Sequence, residues 1–298
     1  MSVFLLDASV LSLLSELRLP AVLLIAIVYA GYDLFNKRDI PDTIAYASVL
    51  VGIVFTAALD WNTMIYSLLI AIVVGALSYA LYRVGQLGLG DGFEFVALSL
   101  IIPLQPVPIW LGAVQFGLPF ILSIFIATGI AAILLVPIYY ISRMKGADFK
   151  KVRKGITQNM MVKSAIMVLA YGSLFLFMTY SFGFSYLALA IIAVIAIPSV
   201  VMIIFERQIM LQMIRRVYPN KVEAGDIIAL DLMKREDVAF FRAKYPKFGK
   251  LATEEFVHKV IGVGRKLPVY KNAIPLAFPT LIGVIISLLL GNLLLLII

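Results

Sequence analysis

The chain has 298 residues, of which 62% are hydrophobic and only 14% charged, and its mean hydropathy is +1.03. Soluble domains carry roughly a quarter charged residues, and one aqueous core of this size cannot hide so much apolar surface, so the composition calls for a bilayer as solvent. With no cysteine and one histidine, His258, disulfides, thiolate catalysis and Cys- or His-built metal clusters are excluded, and the net charge of +8 reads as membrane topology rather than as a nucleic-acid footprint.

Met1 to Leu17 is apolar but contains Asp7 and Glu16 and opens without a cationic cluster, which does not fit a signal peptide. A bilayer crossing needs roughly 20 apolar residues, and eight crossings are expected, at 18–35, 43–60, 63–83, 92–106, 116–142, 164–181, 184–205 and 273–297. The fourth is short and ends in the proline-rich Ile102 to Pro108, with a partial helix expected over 108–118. Lys37 and Arg38 follow the first span, Arg83 ends the third, and a basic loop at 143–163 joins the fifth to the sixth. With an outside amino terminus and eight crossings, only Arg18 of the 25 Lys and Arg residues falls outside. The crowded side is therefore the cytoplasm, where the basic loop also meets anionic lipid.

Residues 207–272 form the one sizeable polar segment, with charges of both signs. A turn at Glu223 to Asp226 precedes a short strand at Ile227 to Leu230, and Ala252 to Val263 reads as a helix capped at Thr253. The expected class is an all-α polytopic membrane protein with about eight transmembrane helices and a small cytoplasmic domain before the last. Four regions follow: a transmembrane half at 1–110, further transmembrane helices at 111–206, a cytoplasmic α or α/β segment at 207–272, and a last helix at 273–298.

Two aspartates stand out. Asp33 ends the first span and Asp91 opens the fourth, within Gly88-Leu-Gly-Asp91-Gly92, so the topology brings both to the same membrane face. Ionisable groups at a transmembrane helix are costly and are functional candidates. Two carboxyls a few ångströms apart do not both ionise easily, so the pair holds one proton. One member can then act as general base on a water and the other as general acid, with neither metal nor cofactor. Gly88, Gly90 and Gly92 would let the backbone turn tightly and a peptide approach closely. The competing reading of Gly-Asp-Gly is a connector in which Asp91 caps the next helix. Asp39 and Asp42 flank Ile40-Pro41 before the second span, either as helix-start residues or as substrate contacts. Glu94, one turn beyond Asp91, is a candidate contact for a basic substrate or else a solvated edge residue. Asp60 reads as an outside loop residue and His258 as a surface residue of the cytoplasmic segment.

The string from Asp33 through Lys37, Arg38 and Asp39 to Ile40-Pro41, followed by Gly88 to Asp91, resembles the prepilin peptidase family of membrane aspartyl proteases. The likeness is to its archaeal branch, which processes prearchaellins and pilin-like precursors. Specific motifs cover about residues 17–110, and the tail from Lys266 to Ala277 is similar to the carboxy-terminal region of a long archaeal subgroup. The resemblance carries the catalytic pair over to Asp33 and Asp91. It implies removal of a short basic leader after a small residue, at the cytoplasmic face, from membrane-anchored prepilin or prearchaellin substrates. The bacterial branch's cysteine tetrad is missing, so zinc binding and amino-methylation are not expected. Two rival readings remain. One is a presenilin-like intramembrane aspartyl protease, echoed by Tyr32-Asp33 and faintly by Pro275 to Pro279. The other is a transporter using the two carboxylates as cation sites.

Overall fold

The computed structural model describes residues 8–35, 40–84, 86–106, 119–183, 186–245, 248–260, 264–270 and 276–291. The helical bundle comprises α1 (Ala8–Phe35), α2 (Asp42–Ala57), α3 (Trp61–Val84), α4 (Leu89–Ile101), α5 (Phe120–Ser142), α7 (Gln158–Phe182), α8 (Tyr186–Met213) and α11 (Ala277–Leu290), with α6 (Gly146–Gly155) in the basic loop. Each expected span overlaps one of these helices. Five of them, α1, α3, α5, α7 and α8, are long and apolar enough to cross a membrane, whereas α2 and α11 are shorter apolar helices.

Helix α4 has 13 residues, roughly 20 Å at 1.5 Å per residue, and stops at Ile101 where Ile102 turns into extended backbone before Pro103. A helix that ends inside an apolar medium leaves carbonyls that water does not reach. Its neighbours supply the donors. Thr56 Oγ1 of α2 donates to the Leu100 carbonyl at 2.9 Å, and Ser67 Oγ of α3 donates to the same oxygen at 3.2 Å. Both hydroxyls are buried. Helix α4 is thereby fixed at the centre of the bundle, packed on α1, α2, α3 and α5. The surrounding core joins Phe95, Leu98 and Ile101 of α4 to Val22 and Ala26 of α1, Phe55 of α2, Ile124 of α5 and Val284 of α11.

Small residues allow the closest approaches. A methyl on Gly52 of α2 would lie 2.8 Å from Leu100 Cβ, and one on Gly283 of α11 would collide with Thr128 of α5. By contrast, the hydrophobic window of α7 has no buried residue; that helix packs on α8, where Tyr171 and Ser199 share a hydrogen bond of 3.3 Å.

Several boundaries differ from the sequence expectation. Helix α7 begins at Gln158, with Thr157 capping the Met160 amide, because Met160, Met161 and Val162 extend the apolar run past Lys163. Helix α8 continues to Met213, past the expected end of the seventh span at 205. The strand expected at Ile227 to Leu230 is reduced to isolated bridges, Ile227 with Leu251 and Ile228 with Val269. The sheet is instead β1 (Arg215–Val217) antiparallel to β2 (Leu267–Val269), with Arg215 opposite Val269. Around it, α9 (Arg235–Lys244) and α10 (Glu254–Val260) close an aromatic core of Phe241, Tyr245, Phe248 and Phe256. Thr253 accepts from the Phe256 amide as the expected cap, and His258 is exposed. The partial helix expected at 108–118 lies outside the described residues.

Candidate active site

Asp33 sits in the last turn of α1 and Asp91 in the first turn of α4, and these helices pack together. The two carboxyl groups are close enough to act on each other's charge. Glu94, one turn further along α4, lies within the field of both. Three acidic side chains therefore gather at one end of the bundle. The same end carries Arg83 in the last turn of α3.

Asp33 is 6% exposed, and its Oδ2 accepts a hydrogen bond from the Ala277 backbone N–H at 3.0 Å. Asp91 is half-buried and is hydrogen-bonded to the backbone of Gly88, the N-cap residue of α4. A carboxylate in a first helical turn is favoured by the positive end of the helix dipole, and Asp91 combines that placement with a position beside Asp33.

Glu94 is fully buried, which corrects the reading of it as a solvated edge residue: the residue one turn past Asp91 faces the helix interface, not water. Neither of its carboxyl oxygens has a hydrogen-bond partner among the described residues.

The three glycines work differently from the expectation. Gly88 has an ordinary extended φ of −70°, and among the described residues the glycines at positive φ are Gly183, Gly225 and Gly291. Space, rather than a tight turn, is what the motif requires. A methyl on Gly88 would lie 2.8 Å from Asp91 Oδ2, one on Gly90 would lie 3.1 Å from Ile40 Cβ, and one on Gly92 would lie 2.9 Å from Ser78 Cβ of α3. The string lets α4 start against α3 and the residues preceding α2 while leaving room for the Asp91 carboxyl.

Asp42 is exposed in the first turn of α2, at the same end of the bundle, since Ile40 meets Gly90. Asp39 lies outside the described residues. Asp60 belongs to the opposite end, where hydrogen bonds from Thr63 hold its carboxyl below the usual range. Arg18 reaches that end too, donating to the Phe55 carbonyl at 3.2 Å.

Sequence reasoning missed two participants. Tyr29 is fully buried, shares a 2.8 Å hydrogen bond with Ser48, and lies within the field of Glu94 and Asp91. Its position four residues before Asp33 puts it on the same helix face, a signal present in the sequence. Ala277 carried no such signal, because the donor is a backbone group 244 residues from its acceptor. Among the described residues no group of three or more His, Asp or Glu side chains is placed to hold a metal ion.

Fold and site together define a multi-pass membrane protein with a cluster of carboxyl groups at one end of its bundle. Residues 20–136, less than half of the chain, match the type IV leader peptidase family. The matched stretch contains both aspartates and the glycine motif; α6 to α11 lie beyond it. Comparison with curated proteins and with solved structures finds no match.

Proposed function

We propose that the protein is a membrane aspartyl endopeptidase that removes short basic leader peptides from pilin-like or archaellin precursors, with Asp33 and Asp91 as its catalytic pair. The observation that carries this reading is the meeting of these two carboxyls, from the end of α1 and the start of α4, within each other's field and inside the family-matching stretch.

The chemistry needs only the pair and a water. One carboxylate takes a proton from the water as its oxygen bonds to the scissile carbonyl carbon. The partner carboxylic acid donates a hydrogen bond to the carbonyl oxygen. The C–N bond then breaks as the leaving amine takes a proton from the pair. Like charges this close share a proton, so the titrations belong to the pair.

The substrate's hydrophobic helix stays in lipid while its leader lies at the cytoplasmic face. Half-buried Asp91 gives the leader its route to the pair, and Asp39 and exposed Asp42 attract its basic residues. In this reading the amino terminus is outside the cell, and the basic residues after α5 and around α6 contact anionic lipid at the inner leaflet.

The test is processing of a leader-bearing precursor by membranes containing Asp33→Asn or Asp91→Asn. Each variant should insert normally and leave the precursor uncut. Wild-type cleavage by either one removes the aspartyl protease reading.

A further inference from the structure

Helix α11 lies wholly outside the stretch that matches the peptidase family, yet its first backbone N–H ends on Asp33. The Ala277 N–H donates to Asp33 Oδ2 over 3.0 Å in a buried contact, with Ala277 fully buried and Asp33 nearly so. Packing fixes where that donor points. Helix α11 lies against α5 and α1, Gly283 admits Thr128 at the closest approach, and Gln105 donates to the Ser287 carbonyl at 3.1 Å.

The electrostatic need for this contact is specific to Asp33. Asp91 stands at the start of its own helix, where the dipole favours negative charge. Asp33 stands in the last turn of α1, the end at which a helix dipole opposes a carboxylate. It also meets the like charges of Asp91 and Glu94. A helix N-terminus offers unsatisfied N–H donors and partial positive charge, and α11 brings one to the residue whose own helix works against it.

The geometry points to the Ala277 backbone amide as a positioning group of the active site, one that holds the Asp33 carboxylate in place and stabilises its charged form, so that α11 is part of the catalytic unit. This inference rests on the peptidase reading and deepens it.

The direct test removes one N–H. Ala277→lactate, installed by nonsense suppression, exchanges the amide for an ester at that position; Ile282→2-hydroxy-3-methylpentanoate does the same in the middle of α11 with the side chain kept, and controls for a weakened helix. Ala277→Pro also removes the donor, but Leu276 is helical, with φ −84° and ψ −31°, a conformation disfavoured before proline. The ester variant therefore carries the test if the proline variant does not fold.

Precursor processing is followed against pH. The acid limb of kcat/KM should move up by about one pH unit in the 277 ester and stay in place in the 282 ester, since hydrogen bonds to charged groups are the strong ones. Where turnover is too slow to follow, infrared titration of isotopically labelled aspartates, assigned with Asp33→Asn, reads the same shift. An acid limb or carboxylate titration that stays at its wild-type pH in the 277 ester overturns the role of Ala277, and does so without touching the peptidase reading if Asp33→Asn is inactive. Cleavage by Asp33→Asn would instead remove the peptidase reading, and this inference with it.

Discussion

Replacing Glu94 with methionine tests the carboxyl cluster most sharply, because the expected sign is unusual. Most substitutions at buried positions destabilise, by about 1 kcal/mol on average. Glu94 is fully buried, and neither carboxyl oxygen finds a partner among the described residues. Leaving a buried polar group unsatisfied costs about 1–3 kcal/mol. Methionine is of similar length, unbranched and a comparable helix former, and imperfect packing would take back less than about 1.5 kcal/mol. Glu94→Met should therefore stabilise the protein by about 1–2 kcal/mol, or about 2–3 °C in melting temperature for a chain of this size. The assay is the fraction of detergent-solubilised protein that stays monodisperse after heating. Processing activity should fall in the same variant, because the carboxyl lies within the field of both aspartates and stability is commonly given up at functional sites. A methionine variant that melts clearly below wild type would overturn this expectation. It would mean that Glu94 is satisfied by a water or an ion and stabilises the bundle.

Two further outcomes follow from the same geometry. Gly88→Ala adds a methyl 2.8 Å from Asp91 Oδ2, and a carboxylate can swing away at little cost; the variant should melt within about 1 kcal/mol of wild type while processing falls about 100-fold, the scale of a 1 Å misplacement. Equal losses of stability and activity would make Gly88 a packing residue only. Asp42→Asn should slow cleavage of a basic leader most at low salt, where attraction between exposed charges is least screened. A slowing that does not change with salt would return Asp42 to helix initiation.

The ends of hydrophobic runs mark the edges of a membrane, and that is why Asp33 and Asp91 were legible as neighbours in the sequence alone. A topology that counts spans carries both to one face, and helix packing does the rest. Glu94 was legible as present but not as buried. Facing is set by how far α4 is rotated, and with apolar residues on all sides of a 13-residue helix periodicity gives little guidance. The glycines were read through their conformational freedom, whereas their use is steric, and only the positions of Ser78 and Ile40 reveal it. The early start of α7 and the late end of α8 were hidden by lysine, arginine and glutamate, whose long stems extend from an apolar helix to the interface. The contact of Ala277 with Asp33 leaves no trace in side-chain chemistry, since its donor is common to every residue but proline.

A cluster of like charges beside a bilayer has to be offset by something, and oriented backbone is one source of positive charge. Helices α4 and α11 both begin at the cluster, one under Asp91 and one against Asp33, and each contributes the partial positive charge of a helix N-terminus. Both are short, with 13 and 14 residues, or roughly 20 Å against a hydrocarbon core of about 30 Å. Short helices let water come closer to the carboxyl groups than full-length spans would. The hydrolysis proposed for this site would need a fixed positive field and access for water together, and the two short helices offer both from distant parts of the sequence.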